Sequence, residues 1–146
     1  PYNFLTQPFA AKMVILLGLL WRWTGYNMVF FLSGLQNIEY SVYEAAKIDG
    51  ASAIQTFFKI TVPLLKPTIL LTAIMSTNGT LQLFDESVNL TDGGPANASI
   101  SMSHYIYNLC FKYVPNFGYA AAMSFFILLL VAVLAFIQMR VGDKRD

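Results

Sequence analysis

Charge is scarce in this chain. Only 12% of its 146 residues are Asp, Glu, Lys or Arg, while 56% are hydrophobic. Soluble domains carry about 25% charged residues. There is too little charge here to coat a water-soluble globule, so the expectation is an integral membrane protein. The formal net charge of +1 leaves no electrostatic footprint for nucleic acid. Cysteine is nearly missing: the single Cys110 excludes an intrachain disulfide and any cysteine-only metal cluster. In an apolar helix such a residue reads as small packing. The single histidine, His104, lacks companion ligands and reads as a hydrogen-bonded surface or interface residue, not a metal site. No G-x-x-x-x-G-K-[ST] loop is present, so no ATP is expected on this chain, and no other cofactor either. One His, one Cys and scattered carboxylates form no catalytic set. The chain opens on Pro1 without a signal-peptide pattern and reads as the C-terminal part of a longer protein.

What the chain does have is long apolar runs. Residues 1–10 are mixed and proline-punctuated, like the end of a loop. Residues 13–35 follow Lys12 and span about 35 Å as a helix, enough for a bilayer core of about 30 Å. Arg22 interrupts them about 15 Å from Lys12. A span starting after Arg22 would be too short, so Arg22 is expected at membrane depth, facing protein or water. Trp21 and Trp23 can shield it or stack on it. It could line a polar path, pair with a carboxylate on a helix outside this chain, or snorkel to the interface. Gly25 permits close helix contact. Tyr26 and Asn27 need polar partners, either on another helix or on a polar cargo.

Residues 68–83 make a second, marginal span of about 24 Å. Its polar cluster, Ser76, Thr77, Asn78, Thr80 and Gln82, fits a helix facing a cavity. Small-residue helix packing with Gly79 as the close-approach point fits equally well. Asp85 and Glu86 are helical neighbours pointing about 100° apart, and read as interfacial charges rather than a focused pair. Asp92, Gly93, Gly94 and Pro95 make a turn. Over residues 101–113, Met102, Ile106, Leu109, Cys110 and Tyr113 share one helical face, predicting a short amphipathic helix on the membrane or capping the bundle. Residues 119–139 carry no charge and reach about 31 Å, with Ala120, Ala121, Ala122 and Ser124 giving one smooth end. Arg140, Asp143, Lys144, Arg145 and Asp146 form a polar tail. The expectation is an all-α membrane protein. Its three spans, about 12–35, 67–85 and 118–139, are parts of a larger helical bundle with loops at 40–66 and 86–117.

The first loop is itself helical in character. Ser41 with Glu44, and Ser52 with Gln55, fit capping boxes. Asp49 and Gly50 between them form a stop, since Gly adopts the left-handed conformation freely. The reading is a helix over about 42–48, a turn at Gly50, and a second helix over about 53–60. Pro63 and Pro67 suit the first turns of later helices. By its spacing alone this hairpin is either a connector or a docking surface.

The residues Glu44, Ala45 and Ala46, then three residues, Gly50, nine residues, and Ile60, Thr61, Val62 and Pro63 resemble the EAA loop of ABC-importer permeases. The one departure is Val62, where that pattern has Leu. The segment TGYNMVFFLSGLQNI, residues 24–38, resembles the stretch before the EAA loop in sugar-importer permeases. Phe84 and Asp85 followed by LTDGGP, with Thr91, Gly93, Gly94 and Pro95, resemble an external loop of the maltose-type, larger-partner branch. The resemblance implies a permease subunit that forms a path for a sugar or oligosaccharide, in a bacterial-type plasma (inner) membrane. It implies as partners an ABC ATPase subunit dimer that consumes the ATP, a second permease subunit, an extracytoplasmic solute-binding protein and membrane lipid. Glu44, Ala45, Ala46, Asp49, Gly50, Ile60 and Pro63 would then couple to the ATPase, while Arg22, Tyr26, Asn27, Asn78 and Gln82 would be path candidates. A glycerol phosphate is an alternative cargo. A membrane anchor recruiting a soluble partner is a different class of reading, disfavoured by polar residues at membrane depth.

Charge supplies an independent expectation for orientation. With the EAA loop in the cytoplasm, three spans place the C-terminus there too. Lys47, Lys59, Lys66, Arg140, Lys144 and Arg145 are then inside and only Lys12 and Lys112 outside, as the positive-inside rule requires.

Overall fold

The computed structural model describes residues 4–142. Residues 143, 144, 145 and 146 of the expected polar tail lie outside that range, as do residues 1–3. Three helices give the molecule its length: α1 (Pro8–Gln36), α5 (Lys66–Leu81) and α7 (Phe117–Gly142). Between α1 and α5 come α2 (Tyr40–Ile48), α3 (Ala53–Thr56), a π-helical turn at Phe57–Thr61 and α4 (Val62–Leu64). Between α5 and α7 lie a π-turn at Ser87–Thr91 and α6 (Met102–Tyr107), which continues into a π-turn at Asn108–Lys112. The described residues contain no strand. This is the all-α membrane architecture expected.

Two helices, α1 and α7, are long and apolar enough to cross a bilayer. The third, α5, has 16 residues and meets the preceding Ala53–Leu64 segment at a bend of 64°. Pro67 in its first turn supplies no N–H to the turn before, which favours the break at Leu65. α5 ends at Leu81 and does not run on to Phe84.

Helix register follows from small and polar residues. Gly34 packs against Leu65 and Thr68, Asn27 hydrogen-bonds Ser76, and the Trp23 ring lies on Gly79. These three contacts run in opposite directions along α1 and α5, so the helices are antiparallel. A Cβ on Gly79 would collide with the Trp23 ring, which makes Gly79 the close-approach point. Gly25, expected to serve similarly, has nothing within 4 Å of where its Cβ would stand. α7 returns antiparallel to α5, with Gln138 Nε2 donating to Thr77 Oγ1 at 2.8 Å and Gly142 against Leu70.

α5 stops two residues past the Trp23–Gly79 contact, while α1 and α7 continue. The segment between α5 and α7 fills the gap this leaves. Glu86 and Leu90 pack against Gly18 of α1, and α6 with its π-turn packs on α7. A short α5 is therefore sufficient: the folded loop takes over where the helix ends. Of the two placements expected for a helix over residues 101–113, on the membrane or capping the bundle, the structure has the second, since α6 and its π-turn pack on α7, but the buried face is not the apolar stripe expected. His104, Asn108 and Leu109 are buried, whereas Met102 and Tyr113 of the expected apolar stripe are 42% and 49% exposed. The His104 ring turns inward because Ser87, in the same segment, meets its Nδ1 at 2.9 Å.

Candidate functional site

The hairpin at one end of the molecule is built by backbone signals. The Ala51 N–H donates to Ala46 O at 3.0 Å and the Gly50 N–H to Lys47 O at 3.1 Å. With Gly50 at φ +75°, this is a Schellman ending to α2. Ser52 then opens α3: its Oγ accepts from the Gln55 N–H at 3.3 Å, and Gln55 Oε1 accepts from the Ser52 N–H at 2.9 Å. That capping box is as expected. The one expected at Ser41 is absent. α2 starts two residues earlier, at Tyr40, with Glu39 as cap, and the Ser41 hydroxyl donates to the Glu39 carboxylate. One side-chain bond ties the two arms, Tyr43 Oη to Thr61 Oγ1 at 3.3 Å.

The hairpin leaves its tip open. Ala46 is buried inside it, while Glu44, Ala45, Asp49, Gly50 and Pro63 are exposed and Ile60 is half-buried. Ile48 is 85% exposed and Ile54 72%, with Phe58 also on the surface. Apolar side chains thus stand exposed on a turn that charged residues surround.

The path candidates fall into separate small sets. Arg22 meets Glu86 Oε1 at 2.7 Å and Asp85 Oδ2 at 4.0 Å, and stands 5.4 Å from the Trp23 ring centre. Its partner is thus inside this chain, not on a helix outside it. Asp85 and Glu86 do share a focus, because the long arginine reaches between them. Asn27 and Ser76 exchange hydrogen bonds at 3.1 and 3.3 Å, the inter-helix reading of Asn27. Asn78 Oδ1 accepts from Gln82 Nε2 at 2.8 Å, with both residues exposed. Tyr26 is exposed and packs edge-on against Trp23, with ring centres 5.6 Å apart. No described hydrogen bond joins these sets to one another.

At the other end, a polar lock organises the loop carrying Thr91, Gly93, Gly94 and Pro95. Ser87 is fully buried, and its Oγ donates to Ser99 O at 2.8 Å. It also accepts from the Ser101 N–H at 3.2 Å and lies 2.9 Å from His104 Nδ1. With its only proton on the Ser99 carbonyl, Ser87 accepts from the ring, so the imidazole proton sits on Nδ1. Nε2 is buried without a hydrogen bond, 3.8 Å from Asp92 Oδ1. Burial pushes the imidazole pKa below its ordinary value; Asp92 opposes this and Lys112 adds to it. A 2.8 Å bond from Lys112 holds the Asp92 carboxyl below the usual carboxylate range, and the same bond raises Lys112.

Thr91 Oγ1 donates to Ser87 O at 3.0 Å and accepts from Ser99 Oγ at 2.8 Å. Asp92 takes φ +46° and Gly93 φ +78°, and the Gly94–Pro95 bond is cis. Gly93 packs on His104 and Ile100. Ser87, His104 and Asp92 stand in a row, but a sealed serine whose proton is committed to a carbonyl is not a nucleophile. His104 was expected at a surface or interface and is in fact the centre of this lock. Ser87, Ser99 and Asn108 were not singled out from sequence. One signal was available: Ser101 lies three residues before His104 and caps its helix at 3.2 Å.

Residues 3–145 match the family model described as binding-protein-dependent transport system inner membrane component. The chain is 54% identical over 147 residues to the lactose transport system permease protein LacF of Rhizobium radiobacter, covering 99% of this chain and 49% of that protein. It is 36% identical to the trehalose/maltose transport system permease protein MalF of Thermococcus litoralis, covering 99% of this chain and 48% of that one. For the arabinooligosaccharides transport system permease protein AraP of Bacillus subtilis, the identity is 33%, with 99% and 46% covered. The chain thus spans about half the length of these relatives. The fold is similar to that in the crystal structure of a bacterial ABC transporter involved in the import of the acidic polysaccharide alginate, with a TM-score of 0.82 at 24% identity, over 99% of this chain and 51% of that one. With its whole described length accounted for in this way, the chain belongs to the family of inner membrane components of binding-protein-dependent transport systems.

Proposed function

We propose that this chain forms part of the translocation path of an ATP-driven importer for a sugar or oligosaccharide, and that residues 40–64 couple the path to a separate ATPase subunit dimer. The hairpin carries this reading. A Schellman turn and a capping box make it a stiff element with apolar side chains exposed at its tip, Ile48 and Ile54 foremost. Glu44, Ala45, Asp49 and Gly50 lie at that tip. Ala46 acts from inside, by holding the two arms together. Closure of the ATPase dimer would push the hairpin as one body and bias the membrane helices between inward- and outward-open states. In this reading the hairpin and C-terminus are cytoplasmic, a second permease subunit completes the path, and a solute-binding protein delivers cargo to the Thr91–Pro95 end. The relatives' names, all sugar permeases, support the cargo class. So does Arg22: Glu86 balances its charge, which favours a neutral cargo over a glycerol phosphate. Tyr26, Asn78 and Gln82 remain the exposed polar candidates for contact with it.

The test is cysteine crosslinking from Ile48→Cys in the full-length subunit, with Cys110→Ser, in membranes holding its ATPase. A crosslink to the ATPase that changes with nucleotide is expected. An inserted subunit giving no crosslink would overturn the coupling reading and revive the anchor alternative.

A further inference from the structure

The end of the bundle that carries the hairpin has a second feature, on its flank. Two cavities lie along the α5–α7 seam, about 550 Å³ and about 620 Å³, divided by Leu70. Both fall in the range of small-molecule sites, about 300–1,000 Å³. Their walls are apolar: Ile69, Ala73, Ile137 and Val141 in the first, Phe136 and Met139 in the second. Among the described residues each has one cation at its rim, Lys66 in the first and Arg140 in the second, and no acidic residue lines either. Lys66 opens α5 and Arg140 lies in the last turn of α7, so both stand toward the hairpin end of the bundle, where a membrane helix meets headgroups. Neither cation has an ion-pair partner among the described residues. Gln138 lines the first cavity, and its buried Oε1 accepts no hydrogen bond there.

We propose that the α5–α7 seam is a binding site for an anionic glycerophospholipid of the leaflet on the hairpin side. The acyl chains lie along the apolar walls on either side of Leu70, and Lys66 and Arg140, one on each cavity, attract the anionic headgroup. An unpaired cation at a bilayer surface attracts anionic lipid, and two of them flanking one trough localise it. The inference needs only that the chain spans a membrane with the hairpin at one face. It does not depend on the cargo or on ATPase coupling.

The experiment uses the full-length subunit in its assembled transporter, reconstituted in bilayers of phosphatidylglycerol with phosphatidylcholine or of phosphatidylcholine alone, with retained lipid read by native mass spectrometry. Retained phosphatidylglycerol is expected. Its affinity should fall about fivefold for Lys66→Gln or Arg140→Gln alone and roughly 25-fold for both. Ala73→Phe, which fills the trough without touching charge, should also displace it, while Lys12→Gln at the opposite end should not. Equal retention of phosphatidylcholine, or no change in the double variant, would overturn the site. So would a photocrosslinker at position 73 that captures protein in place of lipid. Release of the subunit by alkaline wash would instead overturn the membrane-spanning premise, which keeps the two failures distinct.

Discussion

The hairpin of residues 40–64 is held by backbone geometry, whereas the folded segment of residues 84–112 at the other end is held by buried side chains. In the hairpin the decisive bonds are main-chain, from Gly50 and Ala51 back to α2, plus one capping box within four residues. In the outer segment the decisive bonds cross from Ser87 to Ser99, Ser101 and His104, and from Asp92 to Lys112. Local bonding stiffens the hairpin without needing to hide it, so its apolar tip stays exposed. A network of buried side chains depends on contacts between residues far apart in sequence, so this segment folds inward around Ser87 and His104. The α1–α5 contacts lie between the two and hold them in register.

This contrast can be broken at either end. The largest effect is expected from Glu86→Gln, which leaves Arg22 without its strong partner at the join between outer segment and α1. Losing one member of a buried pair costs about 3–5 kcal/mol, and the half-exposed arginine argues for the lower figure. Heating in detergent should show it, and Arg22→Met with Glu86→Leu should recover most of the loss. A double variant no better than the single would mean that the pair does not act as a unit.

Next comes Ser87→Ala, which strands the Ser99 carbonyl, the Ser101 N–H and the His104 ring together. About 2–3 kcal/mol is expected, confined to the outer segment. Amide exchange should quicken over residues 84–112 and stay unchanged over residues 40–64. Uniform quickening would show the two ends to be one cooperative unit.

Gly50→Val is the counterpart at the hairpin. Space is open around Gly50, so only the positive φ opposes a side chain, at about 1–2 kcal/mol. Insertion should survive while transport falls and ATP hydrolysis runs free of it. Full transport in that variant would remove the rigid-lever account.

The smallest effect should come from acid. The His104 pKa is depressed by burial, so on acidification the unfolded segment binds a proton before the folded one does. The stability contributed by the neutral ring is therefore complete above the ordinary imidazole value of 6.5 and is lost as pH falls below it. Asp92 acts in the same sense at lower pH, its depressed carboxyl losing the Lys112 pair as pH drops through the acid range. Exchange measured between pH 7.5 and 5.5 should loosen the outer segment alone, and His104→Gln should flatten the response. An acid response in the hairpin would contradict the assignment.

How far the two regions were legible follows the same division. Gly50 and the Ser52–Gln55 cap were readable because their causes lie within a few residues. The false cap at Ser41 was a local signal overruled by Glu39, one residue before the helix. The outer lock was not readable, because nothing near Ser87 in sequence announces a histidine seventeen residues away. The same holds for Arg22, whose carboxylate partner arrives only after two helices and a hairpin have turned the chain back on itself.

Sequence alone determined that this chain lives in a membrane, that it is helical, and that its first loop is a hairpin of a recognisable family. Hydropathy, helix length and turn chemistry are properties of neighbouring residues. The tertiary structure alone decided which polar side chains are buried and whom they meet. It turned His104 inward, gave Arg22 to Glu86, placed Asn27 on Ser76 and let a folded loop complete the bundle past the short α5. A buried polar group is stable only with a partner, and which partner is available depends on how the whole chain packs.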